Sequence, residues 1–264
     1  MKKEKILINI ENLNEIEDYK KIGINNFLFA VDYFSIGYNS FNINEIKDVK
    51  GNIYILINRI LNTSDVEKLK NMKNDFLNFK GMIFEDIAVY NIFRNDDIEL
   101  IWNQSHFATN YSSINYWLEL TNSSVISNEL TKEEINEILN KSHKNLILNV
   151  FGKNPSMYSR RTLLTNFNNN FKLSDNKDVI LKESNTNNSF NAKESEFGTF
   201  IFNNTYFNYI PYLNEFNNDK ILFYLIYPNG LNFNEISKYI NGEVNNTNDG
   251  FLNKKTIYKL GGEK

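Results

Sequence analysis

At 264 residues, with 41% hydrophobic and 14% aromatic content, the chain can bury a large core, and one α/β barrel of about 250 residues accounts for its length without a second domain. A formal charge of -3 excludes a surface that is basic throughout, so any nucleic-acid contact must be local or shared with a partner. The absence of cysteine excludes disulfides, a thiolate nucleophile, thiolate zinc sites and an iron–sulfur cluster on ordinary cysteine ligands.

The first apolar run, residues 6–10, reads as a strand and is followed by Glu11; it is too short for a signal peptide or a membrane span, which points to a cytoplasmic protein. Residues 13–22 carry apolar positions at helical spacing (Leu13, Ile16, Tyr19, Ile22). Strands are expected at 27–31 and 53–57, with a small helix at 43–47 between them. Thr63 and Ser64 are candidate N-caps for a helix over 66–79, with Glu67 three residues after Ser64 as in a capping box. The alternation continues with strands at 81–84, 100–102 and 125–126 and helices at 88–93 and 112–120. Thr131, with Glu134 three residues on, opens a helix to 139, and residues 146–151 form a seventh strand that is expected to stop at Gly152. Strands alternating with helices imply parallel pairing, because each parallel connection needs a crossover. The expected fold is a single α/β domain over residues 1–264, an irregular or incomplete TIM-type (β/α) barrel.

Beyond residue 167 the rhythm breaks. Residues 168–196 are expected to form an Asn-rich loop or antiparallel hairpin excursion, with strands at 171–173 and 179–182. A strand at 200–202, a short helix at 209–216, a strand at 221–227, a helix at 233–240 and an extended tail at 245–264 complete the chain. The abundance of asparagine reads as composition drift in loops, not as a prion-like segment.

Polar groups at the C-terminal ends of parallel strands are the candidates for chemistry, because α/β folds place ligands there. Tyr158, Ser159, Arg160 and Arg161 follow the seventh strand; adjacent guanidinium groups suit a dianion, although a solvated pair on a helical first turn has the same appearance. Glu129 precedes the helix at Thr131 and is either a general base or a favourable helix-dipole partner. Glu85 and Asp86 repeat that arrangement after residues 81–84. The two histidines, His106 and His143, have no metal-ligand spacing, and no metal site is expected. No glycine-rich phosphate loop is present.

The stretch Y-S-R-R-T-L-L-T-N (158–166) resembles the signature Y-S-G-R-C-L-L-S-N of the peptidase U32 family, the collagenase-like proteases. Four further stretches resemble the family in its order: I-W-N-Q-S-H-F-A-T-N (101–110) with N-Y-W downstream, S-N-E-L-T-K-E-E-I (127–135), E-S-E-F-G-T-F-I-F (194–202) and G-F-L-N-K-K-T-I-Y-K (250–259). The resemblance implies a TIM-type barrel and two kinds of activity. Family members are named as peptidases, yet others are implicated in oxygen-independent hydroxylation of a tRNA wobble uridine, a ribosomal RNA cytidine and a ubiquinone precursor. Prephenate is the hydroxyl donor proposed for that chemistry, and an iron–sulfur cluster sits on family cysteines. In this chain the signature cysteine is Thr162 and the glycine is Arg160, so the chain resembles the shorter, cysteine-poor subunit that accompanies a cluster-bearing U32 homologue in tRNA uridine 5-hydroxylation. The resemblance implies roles for Arg161 and Glu129 in catalysis and for Tyr158, Ser159, Asn110 and Thr199 in substrate binding. Arg160, which does not match the family, is added as a substrate-binding candidate because it adjoins Arg161 and prephenate carries two carboxylates. It implies tRNA and the cluster-bearing homologue as partners and no membrane contact. The family histidines near residue 197 are Phe197 and Phe200 here, which removes proton transfer by those groups. A peptidase or a non-catalytic scaffold for the partner are the alternatives.

Overall fold

The computed structural model describes residues 1–104, 108–186, 188–244 and 248–254. The apolar runs of the first half become strands whose residues are buried on both faces: β1 (Ile6–Asn9), β2 (Asn26–Val31), β4 (Asn52–Ile57) and β5 (Gly81–Phe84), with a two-residue β3 (Ser40–Phe41) beside β2. Burial on both faces is what a parallel sheet flanked by helices requires. The intervening helices are α1 (Ile16–Lys21), α2 (Ile43–Ile46), α3 (Thr63–Asn71), α4 (Lys73–Phe76) and α5 (Ile87–Phe93). They are followed by β6 (Glu99–Trp102), α6 (Tyr111–Leu120), β7 (Ser123–Ser124), α7 (Lys132–Lys141) and β8 (Leu146–Ser159). The second half adds α8 (Leu163–Phe171), β9 (Asp178–Lys182), β10 (Ser189–Ser195), β11 (Gly198–Asn208), β12 (Ile221–Ile226) and α9 (Phe233–Ile240).

The strands form one twelve-stranded sheet in the order β7-β6-β5-β4-β2-β1-β12-β8-β11-β10-β9. Every pair from β7 to β8 along that path is parallel, and the last three pairs are antiparallel. The α/β class and the parallel ladder agree with the sequence; the irregular or incomplete barrel expected there is present as an open sheet. Between β7 and β8 there is a single isolated bridge, Val125 to Ile147, supported by Ile126 N–H donating to the Ile147 carbonyl at 2.9 Å. β7 is two residues long, and a ladder cannot extend where one strand is that short.

The sheet separates two apolar layers. One packs the strands against the helices and includes Phe27, Phe29, Phe84 and Leu148. The other is drawn from the opposite faces of the same parallel strands, among them Leu7, Leu28, Ile83, Ile101, Ile147 and Leu225. Alternation of side chains along each strand assigns neighbouring residues to the two layers.

Three expectations need correction. β8 does not stop at Gly152: its first part pairs with β12 in parallel and its second part pairs with β11 in antiparallel, to Ser159. Pro155 is accommodated at an irregularity in the β8–β11 register, where no ladder N–H is required of it. The N-cap of α3 is Asn62, in a reciprocal box with Asp65, not Thr63 or Ser64 with Glu67. Residues 171–173 are not a strand, because α8 runs to Phe171 and ends on Lys172 in the left-handed region. The excursion itself is antiparallel, as expected, through β9, β10 and β11. The box of Thr131 and Glu134 forms as read from the sequence. Among the described residues no helix is long and apolar enough to cross a membrane.

Gly198 sits at the start of β11 with φ +129°, and a β-carbon there would collide with the Ser159 carbonyl oxygen and lie 2.9 Å from the Arg160 α-carbon. The close approach of two backbones therefore depends on glycine. Gly198→Ala is expected to lower stability by more than about 2 kcal/mol in urea unfolding, through strain and separation of β8 from β11. A change below about 0.5 kcal/mol would show that the contact is not needed.

Candidate functional site

The second half of β8 and the β10–β11 hairpin rise beyond the C-terminal ends of the parallel strands and cover them. Beneath lies a cavity of about 400 Å³. Its floor comes from strand ends: Glu85 after β5, Asn103 and Gln104 after β6, Asn128 after β7, Asn149 in β8 and Tyr227 after β12. Its roof and walls come from Tyr38, Pro155, Met157, Tyr158 and Phe200. The aromatic walls are ordered by ring contacts: Tyr38 stacks on Tyr227 with centroids 4.8 Å apart, and Tyr158 and Phe200 lie 6.0 Å apart. Among the described residues no lysine or arginine lines the cavity.

Among the described residues Glu85 is the one ionisable carboxyl in the wall. The Asn103 side-chain amide donates to its Oε1 at 3.1 Å, and the Gln104 amide donates to its main-chain carbonyl at 3.3 Å. Glu85 keeps some accessible surface at the cavity, yet it lies deep in protein, and burial pushes its carboxyl up to about 8. Burial also raises the phenols of Tyr38 and Tyr227, with Glu85 nearby adding to the effect, so both stay neutral. The side-chain carbonyl oxygens of Asn128 and Asn149 are buried and have no hydrogen-bond partner among the described residues. Buried polar atoms are rarely left unpaired, so these two amides are the positions where a ligand or water would bond. At neutral pH the cavity thus presents a protonated carboxyl, several amides and flat apolar walls. That combination suits an uncharged ring with N–H and carbonyl groups.

The residues proposed from the sequence fall in three places. Tyr158 lines the cavity and donates its hydroxyl to the Phe197 carbonyl at 3.3 Å. Ser159, Arg160, Arg161 and Thr199 surround the start of α8. Ser159 Oγ accepts from Arg161 N–H at 3.2 Å, and the buried Thr199 Oγ1 accepts from Leu163 N–H at 2.9 Å. Arg160 and Arg161 are exposed on the turn just after β8, outside the cavity. On the β6–β7 side, Asn110 caps α6 by accepting from Ser113 N–H at 2.9 Å, and Glu129 is exposed with its N–H donating to Ser127 Oγ at 3.1 Å. Asp86 is an N-cap, accepting from Ala88 and Leu61 N–H groups at 2.9 and 2.8 Å. His143 is exposed, and His106 lies outside the described residues.

Asn103, Asn149, Tyr38 and Tyr227 were not singled out from the sequence. Two left a trace there: Asn149 interrupts the apolar run L-I-L-N-V-F, and Tyr227 ends I-L-F-Y-L-I-Y with a polar tip. Arg59, after β4, was also missed. It pairs with Asp65 at 3.2 Å, donates to the Tyr33 carbonyl and lies 3.7 Å from the centre of the Phe197 ring. Burial raises the Asp65 carboxyl, but hydrogen bonds from Asn62 and Tyr33 and the charges of Arg59 and Arg160 outweigh it and hold the group below its usual range. Among the described residues no cluster of three His, Asp or Glu side chains could hold a metal.

The family model described as Peptidase family U32 matches residues 12–224. No curated protein matches the chain. Among solved structures, the spore cortex-lytic enzyme SleL of Bacillus cereus aligns over 93% of this chain and 76% of its own, with 9% identity and a TM-score of 0.44. SleL of Bacillus megaterium QM B1551 aligns over 96% and 75%, with 12% identity and a TM-score of 0.41. A chitinase from Chromobacterium violaceum ATCC 12472 aligns over 90% and 98%, with 7% identity and a TM-score of 0.41.

Glu85 gives a pH signature. Folded, it holds its proton to about pH 8; unfolded, it releases it near the ordinary value of 4.5. Folding therefore takes up a proton across that window, and this group makes stability fall as pH rises through it, by at most about 1.4 kcal/mol per pH unit. Glu85→Gln is expected to flatten the fall between pH 5 and 8 in urea unfolding, so that the variant gains on the wild type as pH rises. Parallel stability curves for the two proteins would show that Glu85 is not held protonated.

Proposed function

The chain belongs to peptidase family U32, and on that premise we propose that it is a cluster-free subunit of a tRNA wobble-uridine 5-hydroxylation system. The observation that carries this reading is the small cavity around Glu85, with flat aromatic walls and the unpaired side-chain carbonyl oxygens of Asn128 and Asn149, which is suited to a flipped-out base-sized ring. Arg160 and Arg161, exposed beyond the rim, are placed to meet anionic groups that the uncharged cavity would reject. Those groups are tRNA phosphates or the carboxylates of prephenate, the hydroxyl donor in this proposal. Glu85 in its protonated form donates a hydrogen bond to a ring carbonyl, and in its ionised form it accepts a proton from bound substrate. Glu129, next in the chain to Asn128 of the cavity wall, remains a candidate base.

The family's iron–sulfur cluster does not fit this chain. Its thiolate ligands are absent from the whole sequence, with Thr162 at the position of the signature cysteine. Redox chemistry is therefore assigned to a cluster-bearing homologue, and this chain binds and orients substrate. We also read the parallel strands as an irregular TIM-type barrel in which the Val125–Ile147 bridge stands for the closing ladder. The peptidase named by the family is the weaker alternative: the serine hydroxyl in the cavity wall, Ser156, is exposed and donates to Asn203 at 2.7 Å, and among the described residues no base is paired with it. A non-catalytic scaffold is the remaining alternative.

Mass spectrometry of tRNA nucleosides from cells with and without this gene tests the proposal. Loss of 5-hydroxyuridine and its derivatives is expected on deletion, with rescue by the wild type but not by Glu85→Ala or Arg161→Ala. Unchanged nucleosides would exclude tRNA hydroxylation, and cleavage of casein or gelatin by the purified chain in the presence of a chelator would favour the peptidase.

A further inference from the structure

We propose that two copies of this chain associate edge to edge through β9, forming a continuous sheet across a twofold axis. β9 is the last strand of the ladder. One of its edges pairs with β10 from Asp178 opposite Lys193 to Lys182 opposite Ser189, and among the described residues nothing pairs with the other edge. Exposed edges are normally blunted by charge, proline or a covering element, because free N–H and carbonyl groups recruit another strand. Here the centre of the edge is apolar, and Ile180 and Leu181 are 49% and 39% exposed.

The sequence of the strand says which occupant fits. It reads K-D-V-I-L-K-E over 177–183. In an antiparallel pairing centred on Ile180, Lys177 of one copy faces Glu183 of the other, Asp178 faces Lys182, Val179 faces Leu181, and Ile180 meets its own mate. Opposite charges fall opposite each other at both ends, and apolar residues fill the middle, which is the favourable pattern for cross-strand neighbours. A parallel pairing in register would set like charges against like. Because β10 holds the other edge, the assembly closes at two copies instead of growing into a fibre.

A five-residue ladder alone is small against the roughly 800 Å² per partner of a stable interface. The same excursion supplies more apolar area: Leu163, Phe167 and Phe171 are spaced four apart on α8 and are 36%, 54% and 59% exposed, and Leu173 follows at 54%. The Phe167 and Phe171 rings already lie against each other with centroids 4.7 Å apart. This pairing is independent of the function proposed above, since it uses none of the cavity residues.

Sedimentation velocity on the purified chain, paired with cysteine trapping, tests it. The wild type is expected to sediment as a dimer at about 10 μM. Ile180→Lys, which sets two ammonium groups against each other on the axis, is expected to give folded monomers with the wild-type far-UV circular dichroism and a melting temperature that no longer rises with protein concentration. The cysteine-free background makes Ile180→Cys a clean probe: mild oxidation is expected to link two copies much faster than in Tyr116→Cys, an exposed control 61% accessible and far along the chain. A monomeric wild type, a dimer that survives Ile180→Lys, or equal cross-linking at both cysteines would each overturn the proposal.

Discussion

The backbone of β8 belongs to two hydrogen-bonding systems, and the site depends on that sharing. Its first half is a buried strand of the parallel ladder beside β12; its second half leaves the ladder's plane of support and is held by β11 in the antiparallel sense. Gly152 stands at the change, with φ +150°, and the next N–H, that of Lys153, donates to Asn229 Oδ1 at 2.8 Å. Without the antiparallel partner the segment from Lys153 to Ser159 would have unpaired backbone groups over the strand ends, which is costly wherever water is excluded. The β10–β11 hairpin is therefore what turns a set of strand ends into a walled cavity.

The residues of the sequence signature serve this architecture more than they serve the cavity. Glu194, in β10, accepts hydrogen bonds from Leu164 N–H at 2.7 Å, Thr165 N–H at 3.0 Å and the Thr165 hydroxyl, and it lies 2.8 Å from Thr199 Oγ1. Burial raises its carboxyl, but these bonds outweigh burial and hold it below its ordinary value, so it remains a carboxylate at the positive end of α8. The Thr199 hydroxyl also lies 2.9 Å from the Arg161 carbonyl. The outcome is a clip that joins the end of β8, the start of α8 and the hairpin, and it fixes the turn on which Arg160 and Arg161 are displayed.

Two electrostatic environments follow from this division. Inside, burial raises Glu85 and the tyrosines, so the cavity is uncharged at neutral pH although it contains a carboxyl. Outside, the arginines face solvent. The buried Arg59–Asp65 pair lies between these environments, with its guanidinium against Phe197 in the hairpin turn, and joins the end of β4 to that turn. A buried pair of this kind adds little net stability, but removing one partner strands the other charge. It acts here as a specific fastening.

Much of the α/β framework was legible in the sequence because it is local. Apolar runs between amphipathic helices set the parallel ladder, and the box of Thr131 and Glu134 needs only three residues of spacing. The N-cap of α3 was misplaced because Asn62, Thr63 and Ser64 are all competent caps, and the reciprocal bond with Asp65 decides among them. The extension of β8 was not legible, since Gly152 and Pro155 are local stop signals and the pairing that overrides them comes from β11, more than forty positions away in the chain for some partners. Glu85 was visible as a carboxylate at a strand end, but its raised pKa and its neighbours Asn103, Asn149 and Tyr227 were not. The sequence by itself determined the class of fold, the family and the impossibility of a thiolate-held cluster, all of which depend on residue type and short-range pattern. Only the tertiary structure decided which side chains share a cavity, because burial and proximity are properties of strands brought together from distant parts of the chain.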